Sequence, residues 1–210
     1  MDELTSKEKT IAMIDFLKKE IPVNGKVLDV ACGYGRLTIP LQKTGYFMEG
    51  IDIASNLINA AKNKATKEKL NIKFRVGDMR DLPHKEKSFD AVICIWSSFC
   101  HMLTKTDQIR SLKEMYRVIR NGGSIIIDFP FFTKPTKKLL KQGSFVGRSS
   151  NLFKSKIKGL ELTLFLHTKK SLLDVLNATF GEKLKTLQYS IKFISIGGKR
   201  RIILKLIKCP

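Results

Sequence analysis

Three carboxylates stand at the ends of apolar runs, each where the chain turns. Asp29 lies in VLDVACGYGRL, Asp52 in GIDIAS and Asp78 in VGDMRDLP. Gly33 and Gly35 follow the first of them, and without side chains they let backbone bend tightly and a ligand come close. A helix starting near Arg36 offers free N–H groups at its positive end. A triphosphate cradle needs Gly-Lys-Ser/Thr after the glycines, but Arg36-Leu37 stands there. A dinucleotide fingerprint needs a third glycine where Thr38 stands. An acid beside a glycine turn suits a ligand with a cationic or hydroxylated part. Asp52, about 20 residues further on, is placed to accept two ribose hydroxyls. Asp78 and the backbone of Met79 are placed to hold an adenine. Taken singly, each site has a plainer reading: a bare strand-to-helix turn, a helix-capping acid, an ordinary loop.

The elements that must position these residues alternate. Helical spacing of Ile11, Ile14 and Leu17 predicts a helix over residues 6–19. Strands are expected at 27–30, 47–53, 71–76, 89–96 and 124–129, with helices at 36–43, 55–67 and 106–119 between them. Ser55 is the expected cap of the second of these helices. Alternation of this kind argues for a doubly wound, mainly parallel α/β sheet, whose ligands bind beyond the carboxyl ends of the strands. Beyond Pro130 the alternation breaks. Residues 144–148 and 160–167 read as a small β-ribbon, 169–179 as a helix capped by Thr168, and 184–193 and 200–208 as strands. Gly197-Gly198 between the last two makes them an antiparallel pair at the sheet edge.

With those blocks in order, residues 24–130 resemble the core of class I S-adenosylmethionine-dependent methyltransferases. The resemblance is carried by VLDVACGYGRLTIPLQKTGYFMEGIDIASNLINAAK, FRVGDMRDLPHKEKSFDAVICIWSSFCHM and LKEMYRVIRNGGSIIIDF. The family pattern has glycine where this chain has Ala31. The resemblance implies a Rossmann-like sheet of seven strands whose last strand is antiparallel, with a β-ribbon inserted before the last helix. It implies S-adenosylmethionine as cofactor, with Asp29, Ala31, Gly33 and Gly35 around its methionine part. Asp52 and Ile53 would then meet the ribose, Asp78 and Met79 the adenine, and Ile95 and Trp96 the sulfonium. The acceptor belongs near Trp96-Ser97-Ser98-Phe99-Cys100-His101, with His101 as candidate general base. Tyr34, Arg36, Ser97, Phe99, His101 and Phe131 are the expected lining of its pocket, with Asp128 and His167 as further candidates. One domain over 1–210 is expected: a cofactor core at 24–130, an acceptor-side insertion at 131–168, and the last helix and edge strands at 169–210.

The acceptor class is argued by elimination and by likeness. The Asn/Asp-Pro-Pro-Tyr/Phe signature of amino-methylating nucleic-acid enzymes is missing after the fourth strand, where Trp96-Ser97-Ser98-Phe99 stands. Cys100 lacks the Pro-Cys setting of cytosine-carbon methylation. The Ser-Ser-Phe-Cys-His segment and the late ribbon are similar to small-molecule and nucleotide-sugar N-methyltransferases. The reading is therefore methyl transfer to N or O of a small molecule.

Composition qualifies this reading. The 210 residues carry a formal charge of +20, and residues 131–210 hold 18 Lys/Arg against 3 Asp/Glu. Such a segment is either a solvated surface that tolerates lysines or a field that attracts anions; the second suits an anionic acceptor and keeps RNA or ribonucleoprotein methylation as the rival. A catalytically silent cofactor-binding module is the third reading. Four cysteines without a Cys-x-x-Cys pair suggest a reducing, cytoplasmic setting and no metal. Apolar runs are strand-sized, so no membrane partner is expected, and the chain is taken as a monomer or homodimer.

Overall fold

The computed structural model describes residues 7–131, 143–145, 151–157 and 160–209, and side chains for 7–131, 151–154 and 161–209. Helix α1 (Lys7–Glu20) buries Met13 and Leu17, four residues apart on one stripe, with Ile21 just beyond. The strands that follow are β1 (Lys26–Val30), β2 (Phe47–Asp52), β3 (Lys73–Val76), β4 (Phe89–Cys94) and β5 (Ile119–Pro130). They are joined through α2 (Thr38–Lys43), α3 (Ser55–Lys67) and α4 (Lys105–Val118). Strands β6 (Gly143–Phe145), β7 (Leu152–Ile157) and β8 (Leu160–Phe165) come next, then α5 (Lys169–Phe180), β9 (Gln188–Ile196) and β10 (Lys199–Ile207).

The main sheet has seven strands in the order β3-β2-β1-β4-β5-β10-β9. The first five pair in parallel, and β10 runs antiparallel to both β5 and β9. Val27, Leu28, Ala91, Val92, Ile93, Ile125, Ile126 and Ile127 are all fully buried. Such unbroken apolar runs suit central strands covered on both faces. On one face Leu28, Val92 and Ile127 pack with Leu112 and Met115 of α4 and Leu172 and Leu176 of α5. On the other, Val27, Ile93, Ile126 and Ile203 pack with Met13 and Leu17 of α1. Strand order reverses between β1 and β4, which opens a crevice at their carboxyl ends.

The expected elements are present, with shifts that have physical causes. Helix α2 begins at Thr38 and not at Arg36, because residues 34–37 are taken up by the turn. Asn121-Gly122-Gly123 falls inside β5 and not ahead of it. The expected strand from Leu184 becomes a 3-10 turn over Gly181–Lys185, and β9 begins only at Gln188. Leu184 and Leu187 are buried three residues apart, the period of that turn and not of a strand. The expected two-stranded ribbon has three strands, β6-β7-β8, with Leu152–Ile157 in the middle. Of the expected segment 144–148, residues 146–148 lie outside the described residues. Gly197 and Gly198, at φ 54° and 72°, make the tight turn that pairs β9 with β10.

Candidate functional site

The glycine turn is held in left-handed backbone at three positions: Ala31 at φ 60°, Gly33 at 54° and Gly35 at 78°. Glycine takes this geometry without strain, whereas the Ala31 Cβ costs about 1 kcal/mol. The turn is stitched to its neighbours by Cys32 N–H on Ile51 O and by Ile39 N–H on Gly35 O, both 3.0 Å. Asp29 is 3% exposed and accepts the Thr38 hydroxyl at 2.6 Å. Its pKa is raised to about 7, chiefly by burial, against the pull of the Thr38 hydrogen bond and with the Asp52 charge adding to the rise.

Asp52 ties the first two loops together. One oxygen accepts the Gly33 N–H at 2.8 Å and the other accepts the Ala54 N–H at 2.9 Å. Each oxygen keeps a lone pair able to receive a hydroxyl. Ala54, and not Ser55, is the N-cap residue of α3, and no side chain there makes a cap bond. Asp78 is engaged differently. Its carboxylate takes Arg80 Nε on both oxygens at 3.0 Å, and Arg80 continues to Asp107 at 3.0 Å. Hydrogen bonding to Arg80 holds the Asp78 carboxyl below the usual range.

These loops form an open cleft lined by Val30, Ala31, Ile51, Asp52, Ile53, Gly77, Asp78, Met79, Arg80 and Met102. It brings Ala31, Asp52, Ile53, Asp78 and Met79 of the expected cofactor residues together. Asp29, Gly33, Gly35, Ile95 and Trp96 lie behind or beside this lining, and Ile95 is 3% exposed, in the core. Val30, Ile51, Gly77, Arg80 and Met102 are additions that sequence reasoning missed. Arg80 and Gly77 sat within a segment already singled out, but Met102 follows a turn whose direction no local pattern reveals.

Beyond β4 the chain makes an unusual bend. Trp96 and Ser97 are consecutive non-glycine residues at φ 64° and 65°, a strain of about 1–2 kcal/mol each. Fully buried Asp128 accepts the Ser97 N–H at 3.0 Å. Arg201, from β10, donates Nε to Asp128 at 2.6 Å and Nη2 to the Ser97 hydroxyl at 2.8 Å, and its Nη2 also pairs with Asp128. Three strand ends thus lock the bend. Burial raises the Asp128 pKa while Arg201 opposes the rise. The Trp96 ring carries the Arg36 guanidinium 3.9 Å from its centroid, with that of Arg201 at 5.9 Å.

The other expected acceptor residues separate. Phe99 is 1% exposed and stacks edge-on to Phe129, a packing residue and not a pocket wall. His101 closes the short turn over Ser98–His101 and is exposed. Desolvation lowers its pKa below the usual imidazole value, against a raising effect of Asp52. Tyr34 is exposed, and Phe131 is partly buried between Phe193 and the Arg200 guanidinium. His167 is buried among Phe99, Phe129 and Phe165, and burial pushes its pKa down to about 3. Cys100 is fully buried and its thiol is pushed up to about 12, unsuited to nucleophilic attack. Among the described residues no cluster of three His, Cys, Asp or Glu can hold a metal, and no helix is long and apolar enough to cross a membrane.

Residues 27–123 match the family model described as a methyltransferase domain. The chain is similar to the putative methyltransferase YqeM of Bacillus subtilis, 31% identical over 127 residues, covering 60% of this chain and 51% of that protein. It is also similar to a ubiquinone biosynthesis O-methyltransferase of Coxiella burnetii, 32% identical over 114 residues, covering 53% and 47%. The chain thus spans about half the length of the curated relatives it matches. A solved S-adenosylmethionine-dependent methyltransferase from Methanosarcina mazei shares the fold, with TM-score 0.75 at 20% identity over 93% of this chain and 98% of that one.

Proposed function

We propose that the chain, whose residues 27–123 match a methyltransferase-domain model, methylates a small-molecule acceptor from S-adenosylmethionine. The observation that carries the reading is the cleft at the carboxyl ends of β1, β2 and β3, with Asp52 on its wall. Its residues fit the cofactor. Asp52 has a free lone pair on each oxygen for ribose hydroxyls, while Val30, Ile51, Ile53, Met79 and Met102 offer apolar surface to a base. Asp29 supplies a carboxyl poised near neutrality by the glycine turn, on the side where a cationic amino-acid end belongs.

The cofactor supplies an activated methyl group on a sulfonium. The chain then has to bring an acceptor lone pair in line with that methyl carbon and keep it there. The new bond forms from the acceptor nitrogen or oxygen, the sulfur–methyl bond breaks onto sulfur, and the acceptor's surplus proton leaves to a base. His101, exposed and neutral, is the proposed acceptor of that proton. The locked bend at Trp96-Ser97 is the proposed wall against which the acceptor is aligned, and the 131–168 segment is its proposed cover.

The small-molecule reading is supported by the quinone-pathway name of one relative and by the lack of a nucleic-acid signature after β4. The basic last third favours an acceptor carrying negative charge. That same charge favours the second reading, RNA as acceptor. Calorimetric titration with S-adenosylhomocysteine tests the cofactor site. Saturable one-to-one binding is expected, weakened about tenfold or more in Asp52→Ala. Unchanged affinity in the variant would remove Asp52 from the site.

A further inference from the structure

We propose that Arg36, laid over Trp96, is an anion-binding subsite for the acceptor, taking a carboxylate or phosphate monoester on the molecule to be methylated; this rests on the methyltransferase reading above. Two guanidiniums flank one indole, and their partners differ. Arg201 is spent on Asp128 and on the Ser97 hydroxyl. Arg36 has one hydrogen bond, Nε to Thr10 Oγ1 at 2.9 Å, and no carboxylate pairs with it among the described residues. Its Nη2 is buried and has no acceptor among them either. The cluster therefore holds two positive charges against the one carboxylate of Asp128.

A partly buried cation with an unsatisfied N–H carries a desolvation penalty that no hydrogen-bonded carboxylate among the described residues offsets. Stacking on Trp96 fixes the plane of the guanidinium and recovers only part of that cost. What remains is a guanidinium fixed in one plane, with Nε spent on Thr10 and its Nη2 N–H still lacking the acceptor that a carboxylate or phosphate oxygen would provide. Its place also separates it from the nucleoside. Arg36 is absent from the cleft lining, while Trp96 opens the acceptor-side loop after β4. Arg200 over Phe131 and the lysines of the last third give the rim a potential that draws anions in.

The amino-acid carboxylate of the cofactor is the other source of the same chemistry, and the test separates the two. Trp96 is the sole tryptophan of the chain, so its emission reads the Arg36 stack directly. Protein saturated with S-adenosylhomocysteine is titrated with inorganic phosphate at constant ionic strength. A saturable change in emission is expected, weakened about tenfold or more in Arg36→Gln and partly kept in Arg36→Lys. The same phosphate affinity is expected when 5′-methylthioadenosine, which lacks the carboxylate, replaces S-adenosylhomocysteine. Unchanged binding of 5′-methylthioadenosine by Arg36→Gln shows that the variant is folded. The proposal is overturned if no saturable change occurs, or if Arg36→Gln responds as the natural protein does. It is equally overturned if S-adenosylhomocysteine blocks phosphate while 5′-methylthioadenosine permits it, because Arg36 then serves the cofactor. Failure of S-adenosylhomocysteine to bind, seen by calorimetry before phosphate is added, contradicts the methyltransferase reading itself and removes the assignment to an acceptor with it.

Discussion

Asp29 sits in the sheet with the Thr38 hydroxyl as its side-chain partner, and burial raises its pKa from 3.8 to about 7. The folded form therefore holds this proton more tightly than the unfolded chain does. That stabilisation is complete below the unfolded value and is lost as pH rises through about 7. Asn keeps an acceptor for Thr38 and carries no charge, so Asp29→Asn should remove this pH dependence. Thermal melts of ligand-free protein between about pH 5 and pH 8 should show a smaller loss of Tm in the variant. An equal loss in both would mean that Asp29 is ionised at no cost. Ala31 gives a second residue-scale test. Its φ of 60° suits glycine, so Ala31→Gly should stabilise by up to about 1 kcal/mol, against the usual penalty for a new glycine. A fall in Tm would contradict that account. The Ala31 departure and all three loop acids were legible in the sequence, because each follows an apolar run. The Arg36–Trp96 stack was not, since it joins loops 60 residues apart through side-chain geometry alone.

At the scale of elements, the bend after β4 depends on the last strand. Arg201 faces Asp128 because β10 pairs antiparallel with β5, in a register that sets Arg201 opposite Pro130. Removing Arg201 leaves a fully buried carboxyl without its cation, a change that costs about 3–5 kcal/mol at comparable sites. Arg201→Met should therefore lower Tm by several degrees and shift Trp96 emission, while the milder Asp128→Asn should shift emission with a smaller loss of stability. Emission unchanged in both variants would show that the bend holds itself. The central strands could be read from sequence as strand-length apolar runs. The edge was harder: β9 exposes Tyr189 and Phe193, and the apolar Leu184 and Leu187 that precede it are buried by a turn and its exit, not by the strand. The cap of α3 was misread for a related reason. Ser55 has the right chemistry, but Asp52 reaches Ala54 N–H first.

The whole molecule combines a cleft at the strand ends, the proposed nucleoside site, with a strongly basic last third. The parallel part of the sheet was predictable from the alternation of strand and helix and the antiparallel edge pair from the Gly197-Gly198 turn, while the seven-stranded arrangement came with the family resemblance. The acceptor was not predictable to the same degree, since its proposed contacts come from the glycine turn, the β4 loop and β10, which meet only in the folded chain. Charge distribution makes one further claim testable. If the basic surface serves a small anionic acceptor, binding of a mixed-sequence RNA should be weak and should fall away steeply between low and physiological salt. Tight RNA binding that survives physiological salt would favour the RNA reading.

The central claim is methyl transfer to a small molecule. Its most direct measurement is incubation with methyl-labelled S-adenosylmethionine and a cell extract split into RNase-treated small molecules and intact RNA. The account predicts label in the small-molecule fraction, insensitive to RNase and lost in Asp52→Ala. Label confined to RNA, or no transfer to either fraction by protein that binds S-adenosylhomocysteine, would contradict it.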